Sequence, residues 1–366
     1  LVARVRRWRY SEESSRGRGM AWMQPAQYQW PSGARRADFL RHLPVNQTFV
    51  LNQLLPDRYD EILEVEFADT VVTTRAAKAR PWDAPPQPGK RDSFATRKVK
   101  LPAVSQMLST GELDRLKMEQ LRAGGQATQA IEQAIFNDAE NNTRSVLARV
   151  ELMRGDLLSD GKVTIAEMGG LEADFGVPGT HIVSAGTPWT TIATADVLGD
   201  IRAWNKVYRA TNGFGFGGMV MSEDILYTML QNQAIRDLWS SSTGRPSVVT
   251  LEQLNQTLTS NRLPQVLFTY DAQVVVDDVV TTILPADKVT FVPPVGIELG
   301  FTQWGMTATA LELQGAGVEV QPSPAGIVAV LDKDVRPPFR QSAYVDATCM
   351  PILSRPSGLF VADVAA

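Results

Sequence analysis

The chain has 366 residues, a formal net charge of −4 at pH 7, one cysteine and two histidines. This length is enough for one large domain or two modest domains with cores of their own. The slight acidity argues against nucleic-acid binding over the whole surface, and a single cysteine excludes an intrachain disulfide or a cysteine-rich zinc site. Since no apolar run approaches a membrane span and no secretory signal is evident, we expect a protein that stays in the cytosol where it is made, without a membrane partner.

Residues 1–60 have the features of an N-terminal arm rather than of a closed domain. The first part is rich in arginine, glycine, serine and proline. This composition favours either a mobile arm that touches nucleic acid or a partner, or upstream sequence translated ahead of a later methionine start. Residues 37–60 hold short apolar clusters separated by prolines, which suit an extended segment packed on a neighbouring subunit. Phe39 and Phe49 are therefore candidate interface residues.

Residues 61–105 predict a long hairpin with an unusual tip. A strand pattern covers residues 62–73, where apolar and polar side chains alternate, and a second covers residues 94–101. The connection between them contains four prolines and few apolar residues, and long connections of this kind are usually functional or disordered. We therefore predict that the tip packs on another chain, with its tryptophan as the aromatic anchor. The candidate interface residues of the tip are Arg80, Trp82, Lys90 and Arg91.

An unusually long helix is predicted over residues 126–159, within a region that runs from 106 to 195. Apolar or small residues recur there at steps of three, four or seven, which is typical of one helix face. They are Ile131, Ile135, Ala139, Val146, Val150, Met153 and Leu157. The polar positions are Glu132, Asp138, Glu140, Arg144, Arg149 and Arg154. These polar side chains should face water or a polar neighbour. A short amphipathic helix is expected at 111–122, and strands and turns are expected over 163–183.

Residues 196–330 read as a compact α/β lobe. Asp196 predicts the start of a helix whose apolar face is Val197, Ile201, Trp204 and Tyr208. Ser222 predicts a second helix with the face Leu226, Leu230, Ala234 and Leu238. Thr250 and Gln253 form a capping-box pattern for a third. Strands are expected at 265–270, 273–283 and 288–292.

The C-terminal region, residues 331–366, shows a strand pattern again. The first strand is predicted at 326–332, across the start of this region, and further strands are predicted at 342–353 and at Phe360. Cys349 lies in an apolar stretch of this region. A buried structural thiol therefore fits it better than a nucleophile.

No catalytic arrangement emerges, so we predict no catalytic residue, no cofactor and no metal. The glycine run at 213–218 lacks the Gly-Lys-Ser/Thr ending of a phosphate loop, and it follows a helix and precedes a strand, which is the reverse of the required order. His42 and His181 have no partner at metal-ligand spacing. Asp277 and Asp278 are adjacent and more typical of a bulge or turn than of an acid–base pair.

The order of these parts resembles the lambda-like major capsid protein family of tailed phages, over roughly residues 37–366. The most specific stretch runs from Arg149 to Ile165, where a leucine pair and Gly161-Lys162 lead from helix to strand. Pro188-Trp189 and the ending from Tyr344 to Val361 are also similar. The resemblance implies an α+β fold, the tailed-phage major capsid fold. Its parts would be an N-terminal arm at 1–60, an extended loop at 61–105, a peripheral domain at 106–195 with the spine helix 126–159, an axial domain at 196–330, and C-terminal strands at 331–366 that return to the peripheral domain.

The same resemblance implies a structural protein rather than an enzyme. Copies would form hexamers and pentamers of an icosahedral shell around double-stranded DNA, which they contact non-specifically. Scaffold, portal and decoration proteins are the expected partners, with assembly in the host cytoplasm and residence in the virion capsid. Two alternatives stay open: an encapsulin-like compartment with the same fold, and an α/β enzyme.

Overall fold

The computed structural model describes residues 49–70, 77, 79, 82, 94–113, 116, 127–240, 244, 246–315, 326–333 and 341–365. Within them the helices are α1 Ala127–Asp160, α2 Val197–Asn212, α3 Glu223–Gln231, α4 Gln233–Leu238, α5 Leu251–Ser260 and α6 Ala308–Gly315. The strands are β1 Asp57–Tyr59, β2 Glu64–Thr70, β3 Phe94–Lys100, β4 Ala103–Thr110, β5 Lys162–Ile165, β6 Leu171–Asp174, β7 Ile182–Ser184, β8 Gly218–Met221, β9 Gln265–Thr269, β10 Gln273–Val276, β11 Val279–Thr282, β12 Lys288–Val292, β13 Gly300–Trp304, β14 Ile327–Lys333, β15 Gln341–Leu353 and β16 Phe360–Asp363. The helix predicted at 111–122 lies mostly outside the described residues.

The long helix predicted from periodicity is α1, displaced by one residue from the predicted bounds. Ala139, Val146, Val150, Met153 and Leu157 of the predicted face are buried, Leu158 is buried beside them, and the side chains of Ile131 and Ile135 lie outside those described. The helix ends where Gly161 adopts a φ of +79°, and a Cβ there would come within 2.2 Å of the Val177 side chain. Glycine is therefore required at this point, because the chain must turn at once into β5.

One sheet packs against α1 and is organised around β15. The amino-terminal part of β15 pairs antiparallel with β14 on one side and with β4 on the other, and its carboxyl-terminal end pairs with β13. β1 then adds parallel to β13. Cys349 lies fully buried in this sheet, where burial raises the pKa of its thiol to about 12. The thiol is therefore an inert core side chain, as expected from the sequence.

A second sheet has the order β7-β16-β12-β8-β9 and carries the helices of the lobe. Its core is aromatic and contains Trp189, Trp204, Tyr208, Phe216, Phe291 and Phe360. The pairings cross the predicted domain limits: β13 precedes residue 330 but joins the sheet on α1, and β16 follows residue 331 but joins the lobe sheet. The division into named capsid regions stays a prediction.

Two features of the lobe differ from the sequence-based expectation. The single helix predicted after Ser222 is interrupted at Asn232, whose extended backbone and side chain, which accepts from the Ile235 backbone N–H at 3.3 Å, start α4. The predicted apolar face is correct only in its first half: Leu226 and Leu230 pack partly buried on the lobe core, whereas Ala234 is exposed and Leu238 is 60% exposed. The fully buried positions are Ile225, Met229 and Ile235.

The strand predicted over 273–283 is a hairpin of β10 and β11. Asp277 and Asp278 form its turn with φ values of 49° and 64°. The turn interpretation of this acidic pair is thus confirmed.

Candidate functional site

The hairpin of β2 and β3 forms a two-stranded sheet of its own. Glu64 is opposite Lys100 and Glu66 is opposite Lys98, and each pair brings an ammonium to 3.5 Å from a carboxylate. These exposed cross-strand ion pairs set the register and contribute little free energy. Within the part of the chain that the structure describes, neither strand pairs with any other strand. Strand pairing therefore gives the hairpin no support outside itself in the described residues, and its contact with the subunit is the packing of Val65 and Val99 on the core under α1.

The tip of this hairpin carries Trp82, whose side chain is 95% exposed. A fully exposed tryptophan is costly to leave in water, because its large apolar surface gains most from burial. Of the other predicted interface residues, Arg80, Lys90, Arg91 and Phe39 lie outside the described residues. Phe49 is half-buried against the core under α1.

A polar cluster, buried except for Asp57 at its edge, joins the start of the described chain to α1, and the sequence analysis did not predict it. We call it the arm clasp, formed by Asp57, Glu151, Arg154, Tyr270 and Thr302. The Glu151 carboxylate is fully buried and accepts from the Leu51 backbone N–H at 2.9 Å and from the Tyr270 hydroxyl at 2.8 Å. It also accepts from Arg154 Nη1 at 3.0 Å. One carboxylate thus holds three segments that are far apart in sequence.

Arg154 completes the arm clasp on the other side. Its Nε donates to Thr302 Oγ1 at 2.8 Å and its Nη2 donates to Asp57 Oδ1. The same Asp57 oxygen accepts from the Trp304 indole N–H at 2.7 Å. A buried guanidinium with partners in this fork geometry is strongly favoured over one left unpaired. The prediction that Arg154 faces water or a polar neighbour is confirmed, since its guanidinium is buried against Glu151, Asp57 and Thr302.

The electrostatics keep the Tyr270 hydroxyl of the arm clasp protonated at neutral pH. Burial, followed by the nearby Glu151 charge, raises the pKa of Tyr270 far above its ordinary value. Tyr270 therefore stays protonated and donates to the carboxylate. The sequence contained one signal for this cluster: Glu151 and Arg154 are spaced i, i+3 beside apolar positions, where two opposite charges can pair on a buried face.

An open groove of about 830 Å³ lies beside α1. It is lined by consecutive residues of 102–106 and of 273–277, together with residues of α1 and with Phe49. Because successive residues of a strand point to opposite faces, both strand segments turn an edge toward the groove. The lining mixes cations such as Arg149 with carboxylates such as Glu167, and these two form an ion pair.

The remaining sequence candidates have structural roles. His181 is buried, with Nδ1 at 3.1 Å from the Leu359 carbonyl oxygen, and burial lowers its pKa. In the glycine run, a Cβ at Gly217 would lie 2.3 Å from the Pro294 Cα, so the run is a closely packed turn. Among the described residues, no three or more His, Cys, Asp or Glu side chains are grouped to hold a metal ion, and none of the described helices could cross a membrane.

The family models and the solved structures both include matches to this chain. The model of the family described as phage major capsid protein E matches residues 37–364. A protein of an Escherichia coli CFT073 prophage, assigned as a capsid protein, is 15% identical with a TM-score of 0.50, covering 74% of this chain and 80% of that one. A phage-related protein from Bordetella bronchiseptica RB50 is 12% identical with a TM-score of 0.50, covering 90% and 95%. At such identities the likeness shows the fold alone. No curated protein matches the chain.

Proposed function

The chain belongs to the phage major capsid protein E family, and from that premise we propose that its copies assemble into the closed icosahedral shell of a tailed-phage head around double-stranded DNA. The observation that carries this proposal is the family match, which spans nearly the whole chain. The predicted α+β capsid fold is confirmed by the same match and by the two structural likenesses. The family points to a phage head rather than to an enzyme-filled compartment.

The hairpin of β2 and β3 supports assembly because only its base, at Val65 and Val99, packs on the core of its own subunit, and neither strand pairs with another described strand. An isolated two-stranded hairpin is marginally stable in water, and Trp82 at its tip is almost completely exposed. A neighbouring subunit that covered the tip would supply the missing apolar contact. We propose Trp82 as the anchor of this contact, with Arg80, Lys90 and Arg91 meeting an acidic patch of the neighbour. Phe39 and Phe49 would serve the arm in the same way.

Shell assembly also implies the oligomers, partners and location that we propose for this protein. The role is structural rather than enzymatic, and the working oligomers are hexamers and pentamers, since a closed shell repeats a few interfaces by symmetry. Many weak contacts then add to a stable particle. Scaffold, portal and decoration proteins are the proposed partners, the host cytoplasm is the proposed place of assembly, and the virion capsid is the final location.

Assembly of the purified protein tests the proposal directly. We expect sedimentation and negative-stain images to show capsomers or closed shells in near-physiological salt, alone or with a scaffold. A compact monomer over a wide concentration range, with and without scaffold, would overturn the proposal.

The anchor role of Trp82 has its own test. We expect Trp82→Ala to weaken assembly by about 2 kcal/mol per interface, and replacement of residues 79–90 by a short Gly-Ser linker to weaken it further, most of all at high salt, where the remaining charged contacts are screened. The matched control is the circular dichroism spectrum and melting temperature of the unassembled subunit, which both changes should leave unaltered. Shells of the linker variant as stable as those of the wild type would show that the tip is no interface.

A further inference from the structure

Helix α2 carries a row of cations on its exposed face. Arg202, Lys206 and Arg209 are spaced i, i+4 and i+7, which places them on one side of the helix, and all three are exposed. At 1.5 Å per residue the row extends over about 10 Å. The positions next to it, Ala203, Val207 and Ala210, are small or short and also exposed. The face is therefore flat as well as basic. We call it the α2 basic face.

The outward orientation of this face is fixed by the other side of the helix. Ile201, Trp204 and Tyr208 are buried in the aromatic core of the lobe, and the Tyr208 hydroxyl donates to the Gly358 carbonyl at 3.0 Å. The Asp196 side chain accepts from the Gly199 backbone N–H at 2.9 Å and starts the helix. Since these buried side chains fix the rotation of α2 about its axis, the cations on the opposite side face the solvent.

Further positive charge lies near both ends of α2. Arg202 Nη2 donates to Asn261 Oδ1 at 3.3 Å, which brings the turn after α5 and the exposed Arg262 next to the helix. At the other end, the Arg355 guanidinium lies 5.8 Å from the centre of the Phe214 ring, just beyond the end of α2. The three cations of α2, with Arg262 beside them, thus form a local basic patch in a chain whose net charge is −4, whereas Arg355 lies toward the Tyr208 side of the helix.

No carboxylate of the described residues neutralises these charges, although Arg202 makes one hydrogen bond, to Asn261. Among the described residues, Arg202, Lys206 and Arg209 make no ion pair. The carboxylate of α2, Asp200, accepts instead from the Trp189 indole N–H at 3.0 Å. The negative end of the helix dipole accounts for Arg209 in the last turn, but it does not account for Arg202 near the first turn. A cation row that no described carboxylate neutralises favours an external anion.

We propose that the α2 basic face lies on the inside of the shell and binds the phosphate backbone of the enclosed duplex DNA. The inference rests on the proposed function, since it requires a shell that holds DNA. Duplex DNA carries one negative charge per about 1.7 Å of its axis, so a row of three cations meets phosphates in any register and reads no sequence. A few contacts per subunit are enough, because the shell repeats them many times.

DNA binding by the purified protein tests the residues. The double variant Arg202→Gln/Lys206→Gln is compared with the control Lys98→Gln/Lys100→Gln, which removes two cations from the β2–β3 hairpin. Binding of a fluorescent duplex is followed by anisotropy from low to moderate salt. We expect the first variant to reduce the slope of log affinity against log salt by about 1.8, for two lost phosphate contacts, and the control to keep the wild-type slope. An unchanged slope in the first variant would overturn the proposal.

A competing polyanion separates DNA from an acidic protein partner. Binding of poly-glutamate is measured for the same variants. A loss of poly-glutamate binding with duplex binding intact would assign the face to an acidic protein and refute the DNA assignment. A loss of duplex binding at the expected slope, with circular dichroism unchanged, supports it.

The inner location is tested by cysteine accessibility in assembled empty shells. Cys349 is fully buried, so Lys206→Cys supplies the reactive thiol at the face. We expect a small maleimide to label this variant in shells, and a maleimide coupled to a large protein to label only unassembled subunits. Equal labelling of shells by both reagents would place the face outside and overturn the proposal. Failure to form any shell in the wild type would refute the proposed function instead, so the two failures are distinguishable.

Discussion

The two cores of the molecule are closed by different kinds of contact. The core under α1 encloses the arm clasp, in which the fully buried Glu151 and the nearly buried Arg154 form directed hydrogen bonds to distant segments. The lobe core is filled by aromatic rings, with Phe216 centred 4.5 Å from both Tyr208 and Phe291. Both cores are apolar, but the core under α1 adds directed hydrogen bonds to its apolar packing, whereas the lobe core relies on the filling of space by aromatic rings.

The difference indicates what each core has to hold. The lobe is built largely from consecutive elements, and apolar packing is sufficient to bring them together. The arm clasp instead adds hydrogen bonds to the short segment 49–57, whose Leu51 and Leu55 are already buried in the core under α1. Hydrogen bonds to a buried charge favour one arrangement of their donors, because any other arrangement leaves the buried charge unsatisfied at a cost in free energy. They therefore set the direction in which the chain enters the subunit from the arm.

The largest effect is expected when volume is removed from the lobe core. Phe291→Ala should destabilise the subunit by about 4 kcal/mol, because a fully buried ring is lost and a cavity remains. Chemical denaturation of the unassembled subunit measures this change. Phe214→Ala is the matched control, since Phe214 is only half-buried and its loss should cost clearly less. Equal effects of the two changes would contradict the view that filled volume holds the lobe together.

A smaller effect is expected when the arm clasp loses its charge. Glu151→Gln keeps the shape but replaces charge-assisted hydrogen bonds by neutral ones, which should cost about 2 kcal/mol. Because the change acts where Leu51 donates, hydrogen exchange of the Leu51 amide should accelerate while the lobe amides stay protected. Glu140→Gln is the control, since Glu140 forms an i, i+4 pair with the exposed Arg144, and surface pairs are worth at most about 1 kcal/mol. Uniform acceleration across the lobe would show that the clasp is not a local device.

The same contrast explains which parts of the fold could be predicted from the sequence. Periodicity located α1 to within a residue, because Val146, Val150 and Leu157 repeat at helical spacing and are buried by one layer. The arm clasp could not be predicted, because the partners of Glu151 and Arg154 lie about a hundred or more residues away and no local pattern pairs them. Long-range hydrogen bonds leave no periodic signal.

Errors in the lobe have the same origin. The break at Asn232 depends on its amide donating to the Ala195 carbonyl at 2.9 Å, a contact that only the folded lobe supplies. The spacing of leucines therefore favoured one continuous helix, whose predicted face is wrong in its second half. The exposed tip of the hairpin is the opposite case: its proline-rich composition pointed to an external partner, and the residues that would meet that partner stay a prediction.

The capping hydrogen bonds of Thr250 in the lobe are exposed, and they should contribute less to the free energy of unfolding than the buried hydrogen bonds of the arm clasp. The Thr250 hydroxyl caps α5 by accepting from the Gln253 backbone N–H at 3.3 Å, and the Gln253 side-chain Oε1 accepts from the Thr250 backbone N–H at 3.0 Å. Thr250→Ala should cost about 1 kcal/mol, measured by thermal unfolding, and Thr250→Ser should recover most of it. A loss as large as that of Glu151→Gln would mean that direction, rather than burial, determines the value of such contacts in this molecule.

The smallest effect concerns His181, whose ring packs against the aromatic core. Its ring is centred 5.3 Å from Phe360 and 5.5 Å from Tyr208, and burial lowers its pKa. Since the folded state resists protonation, the unfolded state binds more protons as the pH falls below about 6.5, and stability decreases. Its contribution is complete above that pH and is lost progressively below it. Between pH 7 and pH 6 the loss cannot exceed about 0.7 kcal/mol for one histidine whose unfolded pKa is about 6.5.

Unfolding of the wild type and of His181→Gln at pH 7 and pH 6 isolates this term. The variant should be less stable at both values but should lose less on acidification. Thr250→Ala serves as the control, because it destabilises the lobe without changing a titratable group and should keep the wild-type pH dependence. If the His181→Gln variant kept the full wild-type loss, then carboxylates rather than the core histidine would control the response of the lobe to mild acid, and aromatic packing would not be the source of its pH sensitivity.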